Sequence, residues 1–172
     1  MPGDPQISDG IQLALFSRQF TDAPTLVTPT NDTEPPRYAE RALEPAFDLY
    51  VTSSLPRALQ TAMLIQEHVG WVEMESEPRL TDNLAGEGDR ALWDRVTAVA
   101  DALLARPEVR ILVSCHGSIM QILRLYLTGQ PFAAFDIAVF PRTGSYCRVT
   151  HGPHGHVDHL WVAEDHLGRR DR

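Results

Sequence analysis

The sequence predicts a three-layer α/β/α sandwich on a mostly parallel central sheet. Three observations lead there. Short apolar runs alternate with segments of helical period along the chain. Two of these passages, residues 48–62 and 111–118, go from apolar run to helix through a short polar turn. Near the C-terminus two further strand-like runs flank a Gly/Pro turn. Alternating strands and helices imply parallel strands with helices covering both faces. The 172 residues, 43% of them hydrophobic, suit one domain with a sizeable core.

Residues 1–10 read as a polar, flexible tail and residues 11–172 as the single domain. Ile11, Leu13 and Leu15 alternate with Gln12 and Ala14, a strand pattern. Residues 21–36 hold four prolines with Asn, Asp and several Thr, and predict a loop. A short helix around Arg37–Leu43 and a buried strand at Phe47–Thr52 follow. From Pro56 the period changes: Ala58, Ala62, Ile65 and Val69 share one helical face, and Gly70 ends it. Pro56 suits the first helical position, with a preceding serine hydroxyl as cap. The next helix covers Gly88–Ala105, with Leu92, Val96, Val99 and Leu103 on one side. Arg110–Ser114 is the strongest strand signal. Ser118–Leu127 is helical and stops at Gly129 and Pro131, with Ser118 available as its cap. Ser145–Thr150 and His156–Val162 read as a strand pair joined through His151-Gly152-Pro153-His154-Gly155.

Composition narrows the function. A net charge of −8 argues against a nucleic-acid surface, which needs clustered cations. It leaves room for a small phosphorylated ligand held by a few arginines. All 15 basic residues are Arg. Without lysine there is no Schiff-base chemistry and no P-loop lysine. No apolar run approaches the roughly 18 residues of a membrane span. Met1 to Gly10 lacks the parts of a signal peptide, so a cytoplasmic location is expected. Cys115 and Cys147 suit reduced thiols, and Cys115 reads as a small buried residue ending a strand rather than a nucleophile.

The two strand–helix passages carry the candidate chemistry. Ligands of open α/β sheets bind beyond the carboxyl ends of the strands. Arg57, in the first turn after one such end, can form a bidentate pair with phosphate. His116 follows another strand end directly and can donate to phosphate or move a proton. Gly117 beside it permits close backbone approach. Singly, Arg57 also reads as a solvated charge and His116-Gly117 as a turn. Their value lies in the strings Ser53-Ser54-Leu55-Pro56-Arg57-Ala58-Leu59-Gln60-Thr61-Ala62 and Val113-Ser114-Cys115-His116-Gly117-Ser118.

These strings resemble two signature segments of the histidine phosphatase (phosphoglycerate mutase-like) superfamily. The resemblance runs from about Ala39 onward, through Ala163-Glu164-Asp165-His166-Leu167. It implies that Arg57 is a phosphate-binding arginine and that His116 is the second pocket histidine. Asp82, in Arg79-Leu80-Thr81-Asp82-Asn83, is placed like the acidic proton donor, and reads equally as a loop or cap aspartate. The family's N-terminal Arg-His-Gly motif is degenerate. Its place reads Phe16-Ser17-Arg18-Gln19-Phe20, where Arg18 can still serve as an arginine but no histidine stands. The family attacks phosphorus with that histidine, and a glutamine amide has no comparable lone pair. The segment from Arg18 to Arg57 also looks shorter than the family's.

The resemblance therefore implies a phosphate-binding domain, weakly active or inactive, acting on a small phosphorylated ligand or inorganic phosphate, or engaging a protein partner. No cofactor is implied. One alternative is an active phosphomonoesterase or mutase in which His116 attacks, or Asp82 activates water. Another is a metal-dependent hydrolase using His151, His154, His156 and His159, although Gly152-Pro153 and Gly155 explain that stretch as a hairpin without metal. A packing or dimerisation unit presenting Trp71, Trp93 and Trp161 is a further reading.

Overall fold

Among the described residues the periodicity of the sequence becomes six strands and three helices. The protein is described by a computed structural model over residues 11–17, 47–139, 141, 145–152 and 155–163. In chain order these are β1 (Ile11–Ser17), β2 (Leu49–Ser53), α1 (Pro56–Val69), β3 (Met74–Glu77), α2 (Asp89–Leu104), β4 (Arg110–Cys115), α3 (Gly117–Leu127), β5 (Tyr146–Gly152) and β6 (Gly155–Ala163). Short 3-10 turns lie at Pro78–Leu80 and Phe132–Ala134. The expected tail at residues 1–10, the loop at 21–36 and the helix around Arg37–Leu43 lie outside the described residues.

The strands form one sheet in the order β3-β2-β4-β1-β5-β6. The first four are parallel, and β5 and β6 add an antiparallel hairpin. β4 is buried on both faces from Ile111 to Cys115, which is why it reads as a continuous apolar run. Alternation along the strands divides the core in two. Tyr50 and Leu112 meet Ala62, Ile65 and Val72 on the α1 side. Leu49, Val51, Ile111 and Val113 meet residues of α2 and α3 on the other. That is the three-layer sandwich expected.

Each helix buries the face its period marked: Ala58, Ala62 and Ile65 of α1, and Leu92, Val96, Val99 and Leu103 of α2. Gly70 ends α1 at φ +84°, a conformation in which a side chain would be strained. Trp93 joins Tyr126, Phe132 and Phe135 in an aromatic cluster, its ring edge-on to the first two. Trp71 is 92% exposed.

Three expectations need correction. Met74–Glu77 is a strand that the sequence did not suggest, because two of its four residues are glutamates. Among the described residues it is an edge strand paired with β2, and ion pairs of Glu75 with Arg106 and Glu77 with Arg79 accommodate its charge. The hairpin is tighter than expected, since His151 pairs with His156 and Gly152 with Gly155. Neither expected serine caps a helix. Ser53 Oγ accepts from the Leu55 amide before α1 begins, and His116 rather than Ser118 is the N-cap residue of α3.

Candidate functional site

The register of the parallel strands builds one end of the sheet into a polar site. Ser17 lies opposite Cys115, and Thr52 opposite Ser114, so the carboxyl ends of β1, β4 and β2 stand side by side. His116 leaves β4 there, and Arg57 sits one residue inside α1, just past the end of β2. Asp82 reaches the same place from the loop that follows β3 and its 3-10 turn.

The three side chains that the sequence singled out converge. Arg57 Nη2 donates to Asp82 Oδ2 at 2.9 Å. The same carboxylate oxygen lies 3.8 Å from His116 Nδ1. Arg57 and Asp82 keep 25% and 19% of their side-chain surface, whereas His116 keeps 1%. The pair is thus partly exposed and the imidazole buried. Gly117 is the buried first residue of α3. Arg18, Gln19 and His154 lie outside the described residues.

His116 is fixed from below. Its Nε2 is 2.9 Å from Ser53 Oγ, which is fully buried. Ser53 Oγ also accepts from Leu55 N, and its hydroxyl can either donate to Nε2 or accept from it. The other ring nitrogen, Nδ1, faces Asp82. Ser118 Oγ lies 3.4 Å from Asp82 Oδ1 and 3.2 Å from Asn83 Oδ1, tying α3 to the acidic loop. A guanidinium and an imidazole beside one carboxylate can together hold an oxyanion and exchange a proton with it.

The acidic loop is braced by residues that the sequence reading missed. Arg95 of α2 donates from Nε and Nη2 to the two carboxylate oxygens of Glu87, each at 2.7 Å. Its remaining donors reach the carbonyls of Arg79, Thr81 and Asp82. The Arg95 bond holds the Glu87 carboxyl below its usual value of 4.5, with the Leu84 amide helping and burial opposing. A depressed carboxylate contributes stability above its unfolded value and loses it as pH falls through the folded one. Glu87→Gln should therefore flatten the acid limb of thermal stability between about pH 5 and pH 3. Melting scans across that range check this, and an acid limb as steep as wild type would contradict it.

Cys115 is buried, and burial pushes its thiol well above the ordinary range, with the Asp82 charge adding to the effect. A thiol so placed stays protonated at neutral pH. Among the described residues no group of three or more His, Cys, Asp or Glu is placed to hold a metal ion, and no helix is long and apolar enough to cross a membrane.

Comparison with solved structures identifies the architecture. Mycobacterial hydrolase 1 superposes with a TM-score of 0.72 at 16% identity, covering 90% of this chain and 99% of its own. The glucosyl-3-phosphoglycerate phosphatase of mycobacteria, solved with VO3, gives 0.68 at 15%, covering 91% and 100%. The alpha-ribazole phosphatase of Shigella flexneri gives 0.64 at 18%, covering 89% and 96%. At such identities the likeness establishes a shared fold. No curated protein matches the sequence. Residues 81–163 match the model of the histidine phosphatase superfamily (branch 1). That matched region contains Asp82 and His116.

Proposed function

We propose that this protein binds inorganic phosphate or a small phosphorylated ligand at the carboxyl ends of β1, β4 and β2, and hydrolyses it weakly or not at all. The observation that carries this reading is the convergence of Arg57, His116 and Asp82 on one partly open point. Arg57 supplies the fixed positive charge, His116 an imidazole, and the Gly117 amide a close backbone donor. Arg18 is the candidate second arginine. Similarity to phosphatases, one of them solved with VO3, supports a tetrahedral or trigonal oxyanion as the ligand class.

The missing histidine accounts for the weak chemistry. Arg18 and Gln19 follow β1, and neither supplies a ring nitrogen to attack phosphorus. Loss of a covalent nucleophile costs several orders of magnitude in rate while binding contacts remain. The Ser53 bond to His116 Nε2 favours holding over attack, because it engages one ring nitrogen on the buried side.

Asp82 sets the affinity. Its carboxylate occupies Arg57 Nη2 and repels an incoming anion. Asp82→Asn should tighten orthophosphate and vanadate by roughly tenfold, the effect of removing one partly buried like charge. Titration calorimetry of both variants tests the reading. Weaker binding in Asp82→Asn would show that the carboxylate helps to hold the ligand, and would overturn this account of the pocket.

A further inference from the structure

We propose that Arg95 is the positioning residue of this pocket. It is remote from Arg57 and His116 in sequence, and it acts by holding the 79–87 loop so that Asp82 is presented to both. The proposal deepens the phosphate-site reading and rests on it for its meaning in function.

The geometry is particular. A guanidinium has five N–H donors in a rigid fork. Nε and Nη2 grip the Glu87 carboxylate, Nη1 reaches the carbonyls of Arg79 and Thr81, and Nη2 also reaches that of Asp82 at 3.4 Å. Five acceptors from one short loop thus meet one cation whose side chain is 15% exposed. Glu87 in turn accepts from the Leu84 amide, closing the loop on itself. α2 is anchored in the core by Leu92, Val96 and Val99 on either side of Arg95 in the chain. The cation is therefore fixed to the body of the domain, and the loop hangs from it. Asp82 lies between two of the gripped carbonyls and Glu87, with its carboxylate turned to Arg57 and His116.

A surface ion pair would contribute little here and would not care where Asp82 points. A positioning residue makes a different prediction: removing it should act on the pocket only through Asp82. The two sites should then be strongly non-additive.

The experiment is a double-variant cycle of Arg95→Gln and Asp82→Asn, with Glu87→Gln as the milder second route to the same loop. Two readouts are taken. The first is orthophosphate affinity. Arg95→Gln should tighten binding as Asp82→Asn does, and the double variant should fall within about twofold of either single one. The second needs no ligand: the imidazole 15N signals of His116, assigned with His116→Gln. Asp82→Asn should move them, and Arg95→Gln and Glu87→Gln should move them in the same direction. If Arg95→Gln does not fold, Glu87→Gln carries both readouts.

Additive effects on phosphate affinity would overturn the proposal. So would His116 signals that move in Asp82→Asn but stay at wild-type values in both loop variants, or that ignore Asp82→Asn altogether. If wild type binds no phosphate while the His116 signals move together, the phosphate-site reading fails and the positioning role of Arg95 stands.

Discussion

Arg57→Ala is expected to weaken orthophosphate and vanadate binding by about a hundredfold or more, the scale of losing a charge-assisted bidentate contact. Arg57 is the described cation at the mouth of the site, and its guanidinium already contacts the carboxylate that a phosphate would have to meet. The substitution also leaves Asp82 without that partner, so the pocket becomes more negative as well as losing a donor. Arg57→Lys should fall between, because a point charge cannot reproduce the planar fork. A control belongs on the surface. Arg90 pairs with Asp94 one turn along α2, both largely exposed, and Arg90→Ala should leave affinity unchanged. Calorimetry of the three variants measures this. Arg57→Ala binding within about twofold of wild type would remove the residue from the site.

Leu112→Ala should be the most damaging simple truncation of the fold, costing about 3–5 kcal/mol. Leu112 is fully buried in β4, which lies between β2 and β1. It is packed against Tyr50, Ala62, Ile65 and Val72, so its loss opens a void between the sheet and α1. Sheet and helix are both fixed by other contacts and cannot collapse into that space. Trp71→Ala, by contrast, removes a far larger side chain that is 92% exposed, and should stay within about 0.5 kcal/mol. Denaturant midpoints of the two variants compare the effects. A cost for Leu112 no larger than that for Trp71 would contradict the division of the core around β4.

Why some of this was legible in the sequence and some was not is a matter of period and distance. β4 announced itself because it is buried on both faces, and α1 and α2 because their apolar residues recur on one face. β3 was hidden, since an edge strand needs few apolar residues and this one alternates Glu with Met and Ser. Arg57, His116 and Asp82 were legible as residues that follow strand ends or match a family segment. Their partners were harder. The sequence predicts a serine before Pro56 as the cap of α1, yet Ser53 has its hydroxyl 2.9 Å from His116 Nε2, 63 residues away in the chain. Ser118 looked like a cap and instead faces Asp82 and Asn83. Glu87 and Arg95 are eight residues apart with a helix start between them, and no local pattern marks a pair that forms only when the loop folds back onto α2.

The central claim is a pocket that holds phosphate but has lost the group that attacks it. The most direct test is turnover of p-nitrophenyl phosphate and a panel of phosphoesters by wild type, alongside His116→Ala and Arg57→Ala. The account predicts at most weak hydrolysis that is not abolished in His116→Ala, in protein that still binds orthophosphate through Arg57. Saturable turnover that disappears in both variants would contradict it and make His116 the working nucleophile of an active phosphatase.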